Sequence, residues 1–218
     1  MKQQKLIVAI SIISTLISIV AIFICLWVLH NDQVQNHINT HFARISKQID
    51  SNIGMVVPQK NGTYNYYSSV KGIDSLALND ALDVWQHYGI HFKKVKQPQK
   101  ANIIISERKH LPDNKYYTTL GETIIKYKLA KHGKIIISHD AIANADMLNR
   151  EDYCRQIMEH ELGHALGLNH SHDKYSIMYP NIDEYSIEFL LKSDIQKAKR
   201  NYKLAKEIAK NYYSEVPN

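Results

Sequence analysis

The sequence predicts an α+β domain behind an apolar N-terminal helix, and three observations carry that prediction. Residues 6–29 are a run of 24 without a charge, rich in Ile, Leu and Val, which exceeds the ~20 residues a helix needs to cross a bilayer. Between residues 63 and 138, short β-rich runs flank one segment of helical period, in the order strand, helix, strand, strand and then two further strands. After residue 150 the period is helical in two long segments, so helices gather at the C-terminal end. At 218 residues the chain has room for one domain and an appendage, not for two full domains.

The apolar run reads as a membrane span, since it is longer than the ~7–15-residue core of a signal peptide. No small-x-small cleavage site follows it, because Leu26-Trp27-Val28-Leu29-His30 is bulky throughout. Ile22-Phe23-Ile24-Cys25 lacks the small residue expected before a lipidated cysteine. Lys2 and Lys5 precede the span, and the nearest later basic residues are Arg44 and Lys47. That bias predicts a single-pass protein of the cell membrane, with a cytoplasmic N-terminus and an extracellular domain. Secretion after signal cleavage is the alternative. Residues 1–30 are therefore assigned to the cytoplasmic tip and signal anchor. Val34, Ile38, Phe42, Ile45 and Ile49 recur at helical spacing, so residues 31–50 are read as a stalk helix, a candidate for weak self-association but too short for a coiled coil. Residues 54–62, with Pro58 and Asn61-Gly62, read as a linker. Stalk and linker span 31–62, and the folded domain spans 63–218.

Within that domain, residues 63–70 form the first predicted strand. Residues 74–88 are helical, with Ala77, Ala81, Val84, Trp85 and Tyr88 facing inward and Gly89 as the stop. Residues 91–95 and 101–106 are strands, and 118–127 and 134–138 are two more around a turn at His132-Gly133. A helix of about 17 residues follows, its buried stripe made of Tyr153, Cys154, Ile157, Met158, Leu162, Ala165 and Leu166. In the last helix Ser193 is the expected N-cap and Asp194 sits in the first turn. Ile195, Ala198, Tyr202, Ala205, Ala209 and Tyr212 then face inward.

The formal charge is +6, densest along residues 192–210, and reads as the solvated face of this helix. There is no zinc-finger spacing and no Gly/aromatic RNA-binding motif, so nucleic acid is excluded as a partner. The two cysteines, Cys25 in the span and Cys154 in the domain, cannot pair. An extracytoplasmic chain without disulfides suits a bacterial surface.

The chemistry concentrates in His160-Glu161-Leu162-Gly163-His164-Ala165-Leu166-Gly167-Leu168-Asn169-His170. His160 and His164 lie one turn apart on one helix face, ~5.4 Å along the axis, a separation that suits two nitrogen ligands on one zinc ion. Glu161 stands beside the first ligand, placed to act on a metal-activated water. Gly167 can take the left-handed conformation that ends the helix and lets the chain return His170 as a third ligand. Three protein ligands leave a fourth position open, the catalytic rather than the structural pattern. His172 is the alternative third ligand.

Residues 160–170 resemble the long zinc motif of the metzincins, and residues 164–171 resemble its matrixin branch. Ser176-Ile177-Met178-Tyr179-Pro180 resembles the matrixin Met-turn, and residues 191–195 resemble the start of the matrixin C-terminal helix. The resemblance implies a twisted, mostly parallel sheet with an antiparallel edge strand, a zinc helix, a Met-turn and a C-terminal helix. It also implies Met178 as the apolar floor under the histidines, Tyr179 and Pro180 as a wall of the S1′ pocket, and an edge strand that binds extended substrate around Leu120, Gly121 and Glu122. One catalytic zinc is implied. Residues 107–149 lack the Gly-Gly-Asp-type loop that holds structural zinc and calcium in animal matrixins, so His110, His132 and His139-Asp140 are read as polar surface. No cysteine-switch propeptide fits between residues 30 and 62.

The function expected from these features is a membrane-anchored extracytoplasmic zinc endopeptidase. It would hydrolyse peptide bonds in protein or peptide substrates through a zinc-activated water, with Glu161 as general base. The alternatives are a membrane-tethered binding module that keeps a zinc site without proteolysis, and a zinc hydrolase of cell-wall amides.

Overall fold

The computed structural model describes residues 51–52, 54–112, 118–143, 150–181 and 189–215. The expected membrane span and stalk helix lie outside the described residues. Among the described residues no helix is long and apolar enough to cross a membrane.

Five strands make the main sheet, in the order β3-β2-β4-β7-β5. Here β2 is Tyr64–Ser68, β3 Phe92–Lys94, β4 Ile103–Arg108, β5 Gly121–Ile125 and β7 Gly133–Ser138. The neighbours from β3 to β7 run parallel, and β5 alone pairs antiparallel, with Thr123 opposite Ile135 on β7. This is the expected mostly parallel sheet with an antiparallel edge. The parallel steps need crossover connections. Helix α1, Ile73–His87, supplies one after β2.

Central strand β4 places Ile103 and Ile105 on the core face, as a period of two requires. Ile135 and Ile137 of β7 lie beside them in the same cluster. Against this face pack α1 and α3, Arg150–Ala165, with α2, His139–Ala143, before α3. The buried side of α1 is Asp74, Ala77, Leu78, Ala81, Leu82 and Trp85. The stripe is thus rotated from the expected one, with Leu78 and Leu82 inside while Val84 and Tyr88 are half-buried. Trp85 accounts for part of the difference, because its indole Nε1 donates to the Glu159 carbonyl of α3 at 3.2 Å. Gly89 ends this segment at φ 84°.

The stretch expected as a linker is part of the fold. Met55–Val56 forms β1, parallel to β6 at Leu129–Ala130, and both β1 residues are fully buried. Tyr64 Oη donates to the Val56 carbonyl at 3.2 Å, and Tyr202 Oη to the Gly62 carbonyl at 2.6 Å. Gly133 is not a turn residue but opens β7. A Cβ there would meet Val56 Cγ2 at 2.6 Å, so glycine admits β1 against the sheet. Two-residue strands are too short to show a period, which is why Pro58 and Asn61-Gly62 dominated the sequence pattern.

The C-terminal helix α4 is Lys192–Glu215. Ala198, Tyr202, Ala205 and Ala209 are buried as expected, joined by Asp194, Asn201 and Ile208, while the side chain of Tyr212 lies outside the described residues. Ser193 is exposed and is not the cap. Asp194 Oδ2 accepts the Leu191 backbone N–H at 3.3 Å, a carboxylate in the third helical position reaching back to the cap residue.

Candidate metal centre

Helix α3 is buried on nearly every side. Its stripe from Tyr153 to Ala165 lies in the main core, and His160, Glu161 and His164 are each only 5% exposed on the other side. Gly167 adopts φ 80°, and its N–H donates to the His164 carbonyl at 2.9 Å, so the helix ends where the spacing predicts. Asn201 of α4 seals that end, its Nδ2 donating to the Leu166 and Gly167 carbonyls at 3.2 and 2.9 Å.

The turn brings His170 back to the helix. Ring centroids are 4.6 Å apart for His160 and His164, 4.8 Å for His164 and His170, and 5.3 Å for His160 and His170. A ligating nitrogen from each lies within 4.8 Å of the other two. His170 and His172 are both exposed, and only His170 joins this group.

The donor set fits a zinc ion. His160 Nδ1–H donates to the Ile177 carbonyl at 2.7 Å and His164 Nδ1–H to the Leu168 carbonyl at 2.8 Å. Each bond fixes the tautomer and leaves Nε2 as a bare lone pair. His164 Nε2 and His170 Nε2 stand 3.2 Å apart, close to the ~3.3 Å between two tetrahedral ligands with metal–nitrogen bonds of about 2.0–2.1 Å. Burial, with the neighbouring imidazole of His164, holds the pKa of His160 down to about 3, against the pull of the Ile177 carbonyl. Burial likewise lowers His164 to about 4 and shifts His170 down. All three are therefore neutral at pH 7, as ligation requires.

Met178 lies under this helix. A Cβ on Gly163 would collide with Met178 Sδ and approach its Cε at 3.2 Å, so Gly163 lets the thioether seat against the helix between the two histidines. The turn is braced by Ser171 N–H donating to the Met178 carbonyl at 2.8 Å and Met178 N–H to Ser176 Oγ at 3.0 Å. Tyr179 is half-buried and Pro180 exposed, and residues 182–188 beyond them lie outside the described residues.

Glu161 faces edge strand β5. Thr123 Oγ1 contacts both Glu161 Oε2 and the Glu161 backbone carbonyl, and a Cβ at Gly121 would stand 2.7 Å from Glu161 Oε1. Burial lifts the Glu161 carboxyl to about 7, with the Thr123 hydrogen bond opposing the shift and the Glu122 charge adding to it. Leu120 is half-buried against the core, and Glu122 points outward. Sequence reasoning placed Leu120, Gly121 and Glu122 near the site but passed over Thr123, whose hydroxyl has no signature in one dimension.

A second group joins Asp74, Glu107 and His139. His139 was read as polar surface, and its side chain is 48% exposed. It nevertheless meets residues from the start of α1 and the end of β4, which the crossover brings together. Asp74 is buried, and Arg150 Nη2 already stands 3.9 Å from it as counter-charge. The Cys154 thiol donates to Asp74 Oδ1 at 3.7 Å, and burial with the Asp74 charge keeps that thiol protonated. His132 lies outside this group, its Nδ1 donating to the Ala101 carbonyl at 2.8 Å.

A histidine-bearing helix ended by glycine, a third histidine on the returning chain and a methionine turn beneath them define the metzincin class of metalloproteases. A family model described as matrixin matches residues 62–203, and the chain belongs to that family. No curated protein matches it.

Proposed function

We propose that this chain is a zinc-dependent endopeptidase held outside a cell membrane by residues 6–29. One observation carries the proteolytic reading: a buried glutamate, Glu161, sits next to a three-imidazole group and against a sheet edge. Strand β5 pairs with β7 on one side and has no strand on the other among the described residues. An extended peptide can add there through backbone hydrogen bonds, with Leu120, Gly121 and Glu122 as the contact region.

His160, His164 and His170 would hold the ion. A zinc ion there supplies Lewis acidity, polarising the scissile carbonyl and acidifying water. Glu161 is placed for the proton traffic, since a buried carboxylate next to the first of the three imidazoles can take a proton from the attacking water and return it to the leaving amine. Met178 provides the apolar floor, and Tyr179 with Pro180 form the wall beside the leaving-group side chain. The uncharged run of residues 6–29, with Lys2 and Lys5 before it, supports a single span and a cytoplasmic N-terminus.

The test is cleavage of a mixed peptide library by the full-length protein, with and without a chelator, beside Glu161→Ala. Wild type should cleave, the chelator should stop it, and Glu161→Ala should lose about 10²–10⁴-fold in rate while keeping its zinc. Equal cleavage by both proteins would reject the mechanism. Zinc binding without any peptide cleavage would favour the binding-module reading, and release of peptidoglycan fragments alone would favour a cell-wall amidase.

A further inference from the structure

Strand β5 does more at this site than offer an edge. Gly121 and Thr123 are two residues apart, so both point to the α3 side, while Glu122 and Ile124 point out. Glu161 is gripped between them. Its Oε2 is on the Thr123 hydroxyl, and its Oε1 lies over Gly121, where any side chain would displace it. The same hydroxyl oxygen lies 3.0 Å from the Glu161 backbone carbonyl, so its single proton has both acceptors of one residue within reach and Thr123 stays against Glu161 whichever it serves. A free glutamate side chain would sample several rotamers, and a general base must be held within hydrogen-bond reach of its proton.

We propose that Thr123 is a positioning residue for Glu161: its hydroxyl immobilises Oε2 and thereby presents Oε1, linking the strand that receives substrate to the group that moves the proton. This rests on the endopeptidase reading of the site. The Nδ1 atoms of His160 and His164 are held by the Ile177 and Leu168 carbonyls and not by Thr123, so removal of its hydroxyl should leave metal binding intact.

The experiment compares Thr123→Val, Thr123→Ser and Thr123→Ala in the full-length, zinc-loaded protein, using a fluorogenic peptide that wild type cleaves. Thr123→Val keeps the shape and loses the hydroxyl. It should lower kcat about tenfold or more, the size of one hydrogen bond to a charged group, with KM within about twofold and zinc content unchanged. Thr123→Ser should restore kcat to within about threefold of wild type. If the valine variant does not fold, Ser and Ala, which differ by the hydroxyl alone, carry the same comparison. The inference is overturned if Val matches wild type, if Ser is as poor as Ala, or if the loss falls on KM or on zinc content. Absence of cleavage by wild type itself would instead sink the endopeptidase reading, and this inference with it.

Discussion

Ser176 Oγ donates to Asp194 Oδ2 at 2.7 Å, with both residues buried, and this bond ties the methionine turn to the C-terminal helix. Asp194 also accepts the Leu191 N–H, and Ser176 Oγ accepts the Met178 N–H. One carboxylate thus fixes the start of α4 and, through one hydroxyl, the backbone under the histidines. Asp194→Ala leaves a buried hydroxyl and a backbone N–H without their acceptor. The expected cost is about 2 kcal/mol or more, a fall in Tm of about 4–8 °C for a domain of this size. Thermal unfolding followed by circular dichroism decides it, and a Tm equal to that of wild type would reject the tie.

Gly163 is the second case. In an ordinary helix interior, Gly→Ala stabilises by about 1 kcal/mol. Here the added methyl would collide with the thioether of Met178, which is 1% exposed and has little room to retreat. Gly163→Ala should therefore destabilise by about 1–3 kcal/mol through overpacking and weaken zinc retention, since the turn that displaces also carries the Ile177 carbonyl bonded to His160. A urea midpoint at or above that of wild type would show that Met178 is not seated as described.

What could be read in advance follows from physical range. The zinc helix, its glycine stop and the return of His170 are local in sequence, and the i,i+4 spacing with Gly167 dictates them. The mostly parallel sheet with an antiparallel edge is expected through the matrixin resemblance alone, because only one helical segment, Ile73–His87, stands among these strands and, among the described residues, no helix separates β4 from β7. The braces were not legible: Asn201 caps a helix 34 residues upstream, Thr123 meets a glutamate 38 residues on, and β1 is two residues long. None of these has a period, and each depends on tertiary approach. The burial of Met55 and Val56 is hidden for the same reason, because turn chemistry at Pro58 and Asn61-Gly62 says nothing about it.

The acid response of the metal-free protein follows from the buried imidazoles. His160 and His164 titrate at about 3 and about 4 in the fold against about 6.5 when unfolded. Between those limits the unfolded chain binds more protons at both sites, so their contribution is present above pH 6.5 and lost as pH falls. Glu161, raised to about 7, acts the other way, and Glu159 is raised as well by burial although Arg155 opposes that shift. His170 adds to the histidine side. The histidines outweigh the carboxyls, and chelator-treated protein should be less stable at pH 5 than at pH 7. Urea unfolding at the two values tests the balance, and an equal or higher midpoint at pH 5 would mean that the buried carboxyls dominate.

The last prediction separates two histidines that stand two residues apart. His170 Nε2 lies 3.2 Å from His164 Nε2, whereas His172 is exposed and outside the three-imidazole group. A lost ligand changes the coordination of the ion itself, while an outer partner costs about 10–100-fold in affinity. His170→Ala should therefore weaken zinc binding by more than about 100-fold, and His172→Ala should leave it within about threefold of wild type. Competition with a chromogenic chelator at pH 7 gives both constants. Losses of similar size would mean that the chain after Gly167 can offer either ring, and the third ligand would have to be reassigned.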